Sequence, residues 1–226
     1  MPAPSGGREA ASIRGEVDLP PMSVKHSGDI LTDVEASLRT AWDVDDSGFK
    51  DADWKALYFD AIAAPCFERG YSVACTLTKR RDHRPWIAKT PAFDKYQNMF
   101  APKEQALDLL AVDSAQLKPV LGAEIEWSAN RKHRIPENEE VVTKLWGEQI
   151  RKDGCLDEIL YDLGRLLAFN PPKMVLVTQP SRRVGFQPVF DEVQAMYSRM
   201  SSDRGKGDLL LMVEEETEPI FRRLPH

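Results

Sequence analysis

The chain has 226 residues, of which 42% are hydrophobic, and this indicates a globular protein with a sizeable core rather than a disordered chain. Its 36 acidic and 30 basic residues give a net charge of -6, which excludes an overall field that attracts nucleic acid, so any polyanion site has to be local. Three cysteines without a CxxC spacing argue against a disulfide framework or a structural zinc site, and no apolar run is long enough to cross a bilayer. We expect a cytoplasmic protein that does not associate with membranes.

The first 28 residues are rich in Pro, Gly, Ser and Ala and have no apolar periodicity. Such a composition does not favour packing into a core. We therefore predict a flexible N-terminal arm over residues 1–28 and a single domain over residues 29–226.

Two helices and a strand are predicted next. In the first helix apolar residues recur every three or four positions, at Leu31, Val34, Leu38 and Trp42. The second helix is predicted in "DADWKALYFDAIAAPCFERG", where we expect Pro65 to bend or end the helix and Gly70 to stop it. The segment "YSVACTLTK" that follows is typical of a strand.

The segments "ALDLLAVD" and "KPVLGAEIEW" are two apolar runs joined by the short polar "SAQL", which predicts a β-hairpin. A polar loop, "SANRKHRIPENEE", comes next and precedes a helical pattern over residues 141–152. A further helix has leucines and isoleucine at three- and four-residue steps from Leu156 to Leu167, and Asn170-Pro171-Pro172 ends it.

The last predicted elements are the strand "KMVLVTQ", a helix over residues 188–201 and the strand "DLLLMVEE". A strand, a helix and a strand in succession favour a crossover connection, which would set "KMVLVTQ" parallel to "KPVLGAEIEW" in one sheet.

Glu124 and Glu126 stand one residue apart in the second strand of the hairpin. Side chains alternate along a strand, so both carboxylates face the same side, about 7 Å apart, and repel each other unless a cation lies nearby. If the hairpin loop is centred near Gln116, Asp108 lies directly across from Glu124 and Asp113 lies across from Pro119. Three convergent carboxylates provide the hard oxygen ligands of Mg²⁺ or Mn²⁺, and the chemistry they indicate is phosphodiester hydrolysis.

The same residues carry a resemblance to a known family. "LDLLAVD", fifteen residues between Asp108 and Glu124, and then "EIE" resemble the PD-(D/E)XK nuclease superfamily, in which an Asp begins the second strand and Glu-x-Lys lies on the third. The resemblance covers residues 52–179 and implies a restriction-endonuclease-like α/β fold, with an αβββαβ core and a central mixed sheet flanked by helices. It further implies a Mg²⁺-dependent endonuclease acting on DNA, with Asp108, Glu124 and Glu126 as catalytic residues and metal ligands, and it leaves a homodimer open.

The chain departs from the family at Glu126, where the family usually has Lys. The lysine can come from elsewhere in such proteins, and the candidates are Lys89, Lys103 and Lys132. A catalytically inactive member of the fold, acting as a nucleic-acid-binding or protein-interaction module, is the alternative. In a third interpretation the protein is unrelated and "EIE" faces solvent on an exposed strand.

Basic residues in the loop after this strand form the candidate nucleic-acid contact. Arg131, Lys132 and Arg134 begin five residues after Glu126 and could meet phosphates beside a scissile bond. Asp162 and Arg165 could reach the site from the following helix, although the spacing favours an ordinary surface ion pair.

Overall fold

A six-stranded mixed sheet carries the fold of the computed structural model, which describes residues 28–44, 51–75, 107–113, 115–126, 154–180, 186–201, 207–214 and 218–225. The described elements, in chain order, are α1 (Ile30–Trp42), α2 (Asp51–Glu68), β1 (Ser72–Cys75), β2 (Leu109–Asp113), β3 (Lys118–Glu126), α3 (Gly154–Phe169), β4 (Lys173–Thr178), α4 (Phe186–Ser201), β5 (Asp208–Glu214) and β6 (Pro219–Leu224). Strands β1 to β6 lie side by side in chain order, so the predicted α/β class with a mixed sheet is confirmed.

Helices cover both faces of the sheet. Helices α1 and α2 pack on one face, where Leu121, Ala123 and Ile125 of β3 join their core. Helices α3 and α4 pack on the other face, against Met174 and Leu176 of β4. Because side chains alternate along a strand, positions 122 and 124 of β3 face the layer of α3 and α4.

Helix α2 continues through Pro65 to Glu68, so the prediction that Pro65 ends the helix is wrong. Pro65 lies in the last turn and is buried beside Ile62 and Cys66, so the packing of this turn outweighs the lost backbone hydrogen bond. Gly70 stops the helix as predicted: its φ is 80°, and Tyr71 N–H donates to Cys66 O over 3.0 Å.

The hairpin of β2 and β3 has the predicted register at its base. Leu109 pairs with Ala123 and Ala111 with Leu121, but a bulge between Ala111 and Val112 shifts the pairing toward the tip. Asp113 therefore pairs with Lys118, and the prediction that it faces Pro119 is wrong.

The reason for this shift lies in the turn. The side chain of Asp113 accepts from the backbone N–H groups of Ala115 and Gln116, each over 2.8 Å, while Leu117 has a φ of 52°. This local bonding tightens the loop by one residue, and Pro119 has no N–H to offer to an unbroken ladder.

Strands β3, β4 and β5 run parallel to one another, which confirms the crossover predicted between β3 and β4. Strand β6, antiparallel to β5 at the edge of the sheet, was not predicted. Its sequence "PIFRRL" lacks strict alternation, and Arg223 forms ion pairs with Asp29 and Glu35 of the α1 region. Polar residues of this kind are tolerated because one side of an edge strand has no neighbouring strand.

Several predicted segments lie outside the described residues. They are residues 1–27 of the arm, the helix over residues 141–152 and the basic loop with Arg131, Lys132 and Arg134. Among the described helices, none combines the length and the apolar character that a bilayer span requires.

Candidate functional site

Glu124 is fully buried, with 0% of its surface exposed, although it is a carboxylate in the middle of the sheet. Its neighbours Ala123 and Ile125 face α1 and α2, so Glu124 points to the side of α3. The third interpretation from the sequence, in which "EIE" faces solvent, is therefore wrong for Glu124. Glu126, at the end of the strand, is partly exposed.

Two hydrogen bonds join the Asp108 segment to β3, one of them directly to Glu124. The backbone N–H of Asp108 donates to Glu124 Oε2 over 3.3 Å, and the N–H of Ile125 donates to Asp108 Oδ2 over 3.1 Å. These contacts continue the hairpin register past its last strand pair, because Asp108 directly precedes Leu109, the partner of Ala123. The predicted apposition of the two acidic residues is confirmed by these contacts.

Gly122 makes room for the segment that carries Asp108. A Cβ atom at Gly122 would lie 2.8 Å from Leu107 Cδ1 and 2.9 Å from Pro171 Cγ, both closer than van der Waals contact allows. Leu107 thus packs directly over the backbone of β3, and this fixes the residue that follows it in the chain.

Lys55 reaches the carboxylates from helix α2. Its Nζ lies 3.1 Å from Asp108 Oδ2, the oxygen that also accepts from Ile125 N–H. Lys55 is the only basic residue in the eighteen residues of α2, in the middle of an apolar run, and that isolated charge could have identified it from the sequence. The three lysines considered from the sequence, Lys89, Lys103 and Lys132, lie outside the described residues.

Arg165 and Asp162 of α3 complete the cluster from the opposite layer. Arg165 Nη2 lies 3.3 Å from Glu124 Oε1, and Nη1 lies 3.2 Å from Asp162 Oδ1. Asp162 is buried, so the preference for an ordinary surface pair was wrong. The error arose because helical spacing reports the contact between these two residues but not which face of the helix the sheet covers.

Four carboxylates and two cations therefore meet at the carboxyl end of β3. Burial, and then the charges of Asp162 and Asp108, raise the pKa of Glu124 well above its usual range, while Arg165 opposes the shift. Burial and the charge of Asp108 likewise raise the pKa of Asp162 to about 7, although Arg165 opposes this shift also.

The two cations remain charged in this setting. Burial disfavours the ammonium of Lys55, but Asp108, Glu126 and Asp162 outweigh burial and raise the pKa of Lys55 above its ordinary value. The carboxylate of Glu126 thus acts on the cluster through its charge. Lys55 is a proton-bearing hydrogen-bond donor at neutral pH.

Thr178 ends β4 beside Glu126 of β3, in parallel register, so their side chains leave the same face of the sheet. The Thr178 hydroxyl is buried and has no hydrogen-bond partner among the described residues. The carboxyl ends of β3 and β4 thus add a buried polar group on the side that carries the carboxylates.

The donor chemistry of this cluster fits a hard divalent cation, because Asp108, Glu124 and Glu126 provide carboxylate oxygens of the kind Mg²⁺ and Mn²⁺ bind. Within the described part of the chain, however, no three Asp, Glu, His or Cys side chains are already gathered around one point in a way that could hold a metal ion. The oxygens are instead directed toward Lys55 and Arg165. The proposed nucleic-acid contacts Arg131, Lys132 and Arg134 are not among the described residues.

Comparison of the chain with known families, curated proteins and solved structures gives no match.

Proposed function

We propose that the protein is a Mg²⁺-dependent nuclease that hydrolyses phosphodiester bonds of DNA. The observation that carries the proposal is the meeting of Lys55, Asp108 and Glu124 at the carboxyl end of β3. A lysine and two acidic residues on adjacent strands are the constellation that the resemblance to the PD-(D/E)XK superfamily implies. Here the lysine comes from helix α2 instead of the position of Glu126.

The order of the elements supports the finer assignment of the fold. From α2 to β4 the described elements follow one another as helix, three strands, helix and strand, with β1, β2 and β3 antiparallel and β4 parallel to β3. This succession agrees with a restriction-endonuclease-like αβββαβ core.

Each residue of the cluster has a role in this proposal. Asp108 and Glu124, with Glu126 at the exposed end of β3, are the residues that would hold the metal. When bound, Mg²⁺ or Mn²⁺ supplies an activated water and stabilises negative charge on the phosphate. Lys55 keeps its proton, so it can donate a hydrogen bond to a phosphate oxygen but cannot accept a proton from water.

Variants of these residues test the proposal in a cleavage assay with linear and circular DNA in Mg²⁺. Asp108→Asn and Glu124→Gln keep the size and an acceptor oxygen but remove the charge, so we expect cleavage to fall by at least about 100-fold with the fold retained. Lys55→Met should reduce cleavage strongly, and Lys55→Arg should restore part of it because the charge returns.

Arg223→Met serves as the control, since Arg223 also pairs with two carboxylates but lies on the edge strand β6, away from β3. It should leave cleavage unchanged, and circular dichroism checks the fold of each variant. Full cleavage by folded Asp108→Asn or Glu124→Gln protein would show that the assignment is wrong.

A catalytically inactive protein of the same fold, which binds nucleic acid or another protein, is the second candidate. It is favoured by the ion pairs of Lys55 and Arg165, which neutralise part of the carboxylate charge without a metal. Native protein that binds DNA but neither binds Mn²⁺ in calorimetry nor cleaves would support this candidate.

A further inference from the structure

We propose that Arg165, which forms an ion pair with Glu124, competes with the divalent cation for this carboxylate. This inference rests on the proposed metal-dependent function and concerns how the site is loaded. It makes Arg165 a residue that tunes metal affinity, distinct from the residues that hold the metal.

The contact between Arg165 and Glu124 is an ion pair without a well-directed hydrogen bond. Arg165 Nη2 lies 3.3 Å from Glu124 Oε1, yet this fully buried oxygen has no hydrogen-bond partner among the described residues. A buried carboxylate oxygen held by charge alone has unused bonding capacity. A metal ion, which binds carboxylate oxygens directly at about 2 to 2.5 Å, would make a stronger contact there.

Arg165 also pairs with a second carboxylate. Its second nitrogen, Nη1, lies 3.2 Å from Asp162 Oδ1. A guanidinium does not lose its proton in proteins, so Arg165 cannot make way for a second cation by becoming neutral. It can only move away or stay and repel the incoming charge, and both effects weaken metal binding.

The Arg165 side chain can move away from Glu124 toward solvent. Its side chain is 22% exposed, whereas that of Glu124 is fully buried. The ring of Tyr161, 45% exposed on the same helix, lies 6.0 Å from the guanidinium carbon. An arginine that leaves Glu124 can therefore lie over an exposed aromatic ring at the surface of α3, where it remains solvated.

The two cations pair with different carboxylates, Lys55 with Asp108 and Arg165 with Glu124. Lys55 contacts Asp108, which has a backbone N–H as a second partner, whereas Glu124 Oε1 has Arg165 alone as its described charge partner. Arg165 is therefore the cation whose removal should matter most for the metal.

Calorimetric titration with Mn²⁺, in the absence of DNA, tests the inference on the full chain. Replacing Arg165 by Met removes the positive charge that lies 3.3 Å from Glu124 Oε1, so we expect Arg165→Met to bind Mn²⁺ at least about 10-fold more tightly than native protein. Arg165→Lys keeps the charge and should remain close to native affinity. Arg223 on β6 also lies between two carboxylates, so Arg223→Met is the matched control and should leave the affinity unchanged.

The outcomes separate this inference from the proposed function. Tighter binding by Arg165→Met, including binding that appears only in the variant, supports competition. Native protein that binds Mn²⁺ while Arg165→Met binds equally or more weakly overturns the inference and leaves the proposed function standing. Absence of Mn²⁺ binding by every folded variant overturns both.

If Arg165→Met does not fold, the native chain provides a second measurement. The Nε–H resonance of Arg165 in an NMR titration with Mg²⁺ should shift on saturation, because the guanidinium leaves Glu124. An unchanged resonance at saturating Mg²⁺ overturns the inference.

Discussion

Glu124 and Asp162 are buried carboxylates that share one arginine, and this shortage of positive charge governs the cluster at the residue scale. Arg165 contacts both of them, while Lys55 contacts Asp108. Burial raises the free energy of each charged form, and mutual repulsion raises it further. The raised pKa values of Glu124 and Asp162 are the result.

A dependence of stability on pH follows from Asp162. Its pKa rises from an ordinary 3.8 to about 7 on folding, so its stabilising effect is complete below about pH 3.8 and is lost as the pH rises through about 7. Asp162→Asn cannot ionise, so its free energy of unfolding should exceed that of native protein by roughly 2 kcal/mol at pH 8. The difference should be smaller at pH 5.

Urea denaturation at pH 5 and pH 8 measures this difference. Asp191→Asn, a change of an exposed carboxylate on α4, is the control and should alter stability equally at both pH values. An Asp162→Asn protein with the same pH dependence as native protein would contradict the expectation.

At the scale of elements, the hairpin of β2 and β3 positions two of the carboxylates. Its register brings Asp108 to Glu124, and the bulge at Ala111 affects only the tip. Much of this could be predicted, because the alternation of apolar residues and the short loop constrain the pairing. The register at the tip could not be predicted, because it depends on hydrogen bonds that the Asp113 side chain accepts within the turn.

Gly122 provides the test at this scale. Gly122→Ala would force a methyl group to within 2.8 Å of Leu107 and 2.9 Å of Pro171, so we expect a loss of about 1 to 3 kcal/mol in the free energy of unfolding. Because Leu107 precedes Asp108, cleavage should also fall more than the population of folded protein accounts for.

Gly28→Ala is the matched control, since a Cβ at Gly28 meets no atom within 4 Å. Chemical denaturation and a cleavage assay on the folded fraction give the two readouts. A Gly122→Ala protein as stable as Gly28→Ala would contradict the close packing of Leu107 on β3.

For the whole molecule, the net charge of -6 opposes DNA binding, so affinity has to come from local cations. Arg131, Lys132 and Arg134 are the candidates that the sequence provides. If each of the three neutralises one phosphate, affinity for DNA should fall roughly 40-fold between 50 and 200 mM salt. This prediction applies to binding and is independent of cleavage.

Fluorescence anisotropy with labelled DNA in Ca²⁺, over a range of salt concentrations, measures the dependence. Arg131→Ala combined with Arg134→Ala should weaken binding and reduce the slope of log affinity against log salt by about 2. Arg39→Ala combined with Arg223→Ala removes the same charge elsewhere on the surface and should leave the slope nearly unchanged. Equal slopes for the two double variants would exclude the basic loop as the contact.

Helices and strands could be predicted where the local sequence pattern determines them. They were harder to predict where tertiary packing determines them. Helix α3 follows apolar periodicity and ends before Asn170-Pro171-Pro172, and β4 follows as the continuous apolar run that the sequence predicts. Helix α2 passes through Pro65, which is buried next to Cys66, and β6 pairs at the sheet edge in spite of Arg222 and Arg223. In both cases tertiary contacts outweigh the local preference of the sequence.

The sequence by itself determined that Glu124 and Glu126 share a face and that Asp108 stands across from Glu124, because strand alternation and hairpin pairing are local geometry. Only the tertiary structure decided that Lys55 and Arg165 join them. Lys55 comes from the layer on one face of the sheet and Arg165 from the layer on the other, and each reaches the carboxylates at the carboxyl end of β3. No periodicity in a single chain reports which helix faces meet at the end of a sheet, since that depends on how the two layers pack.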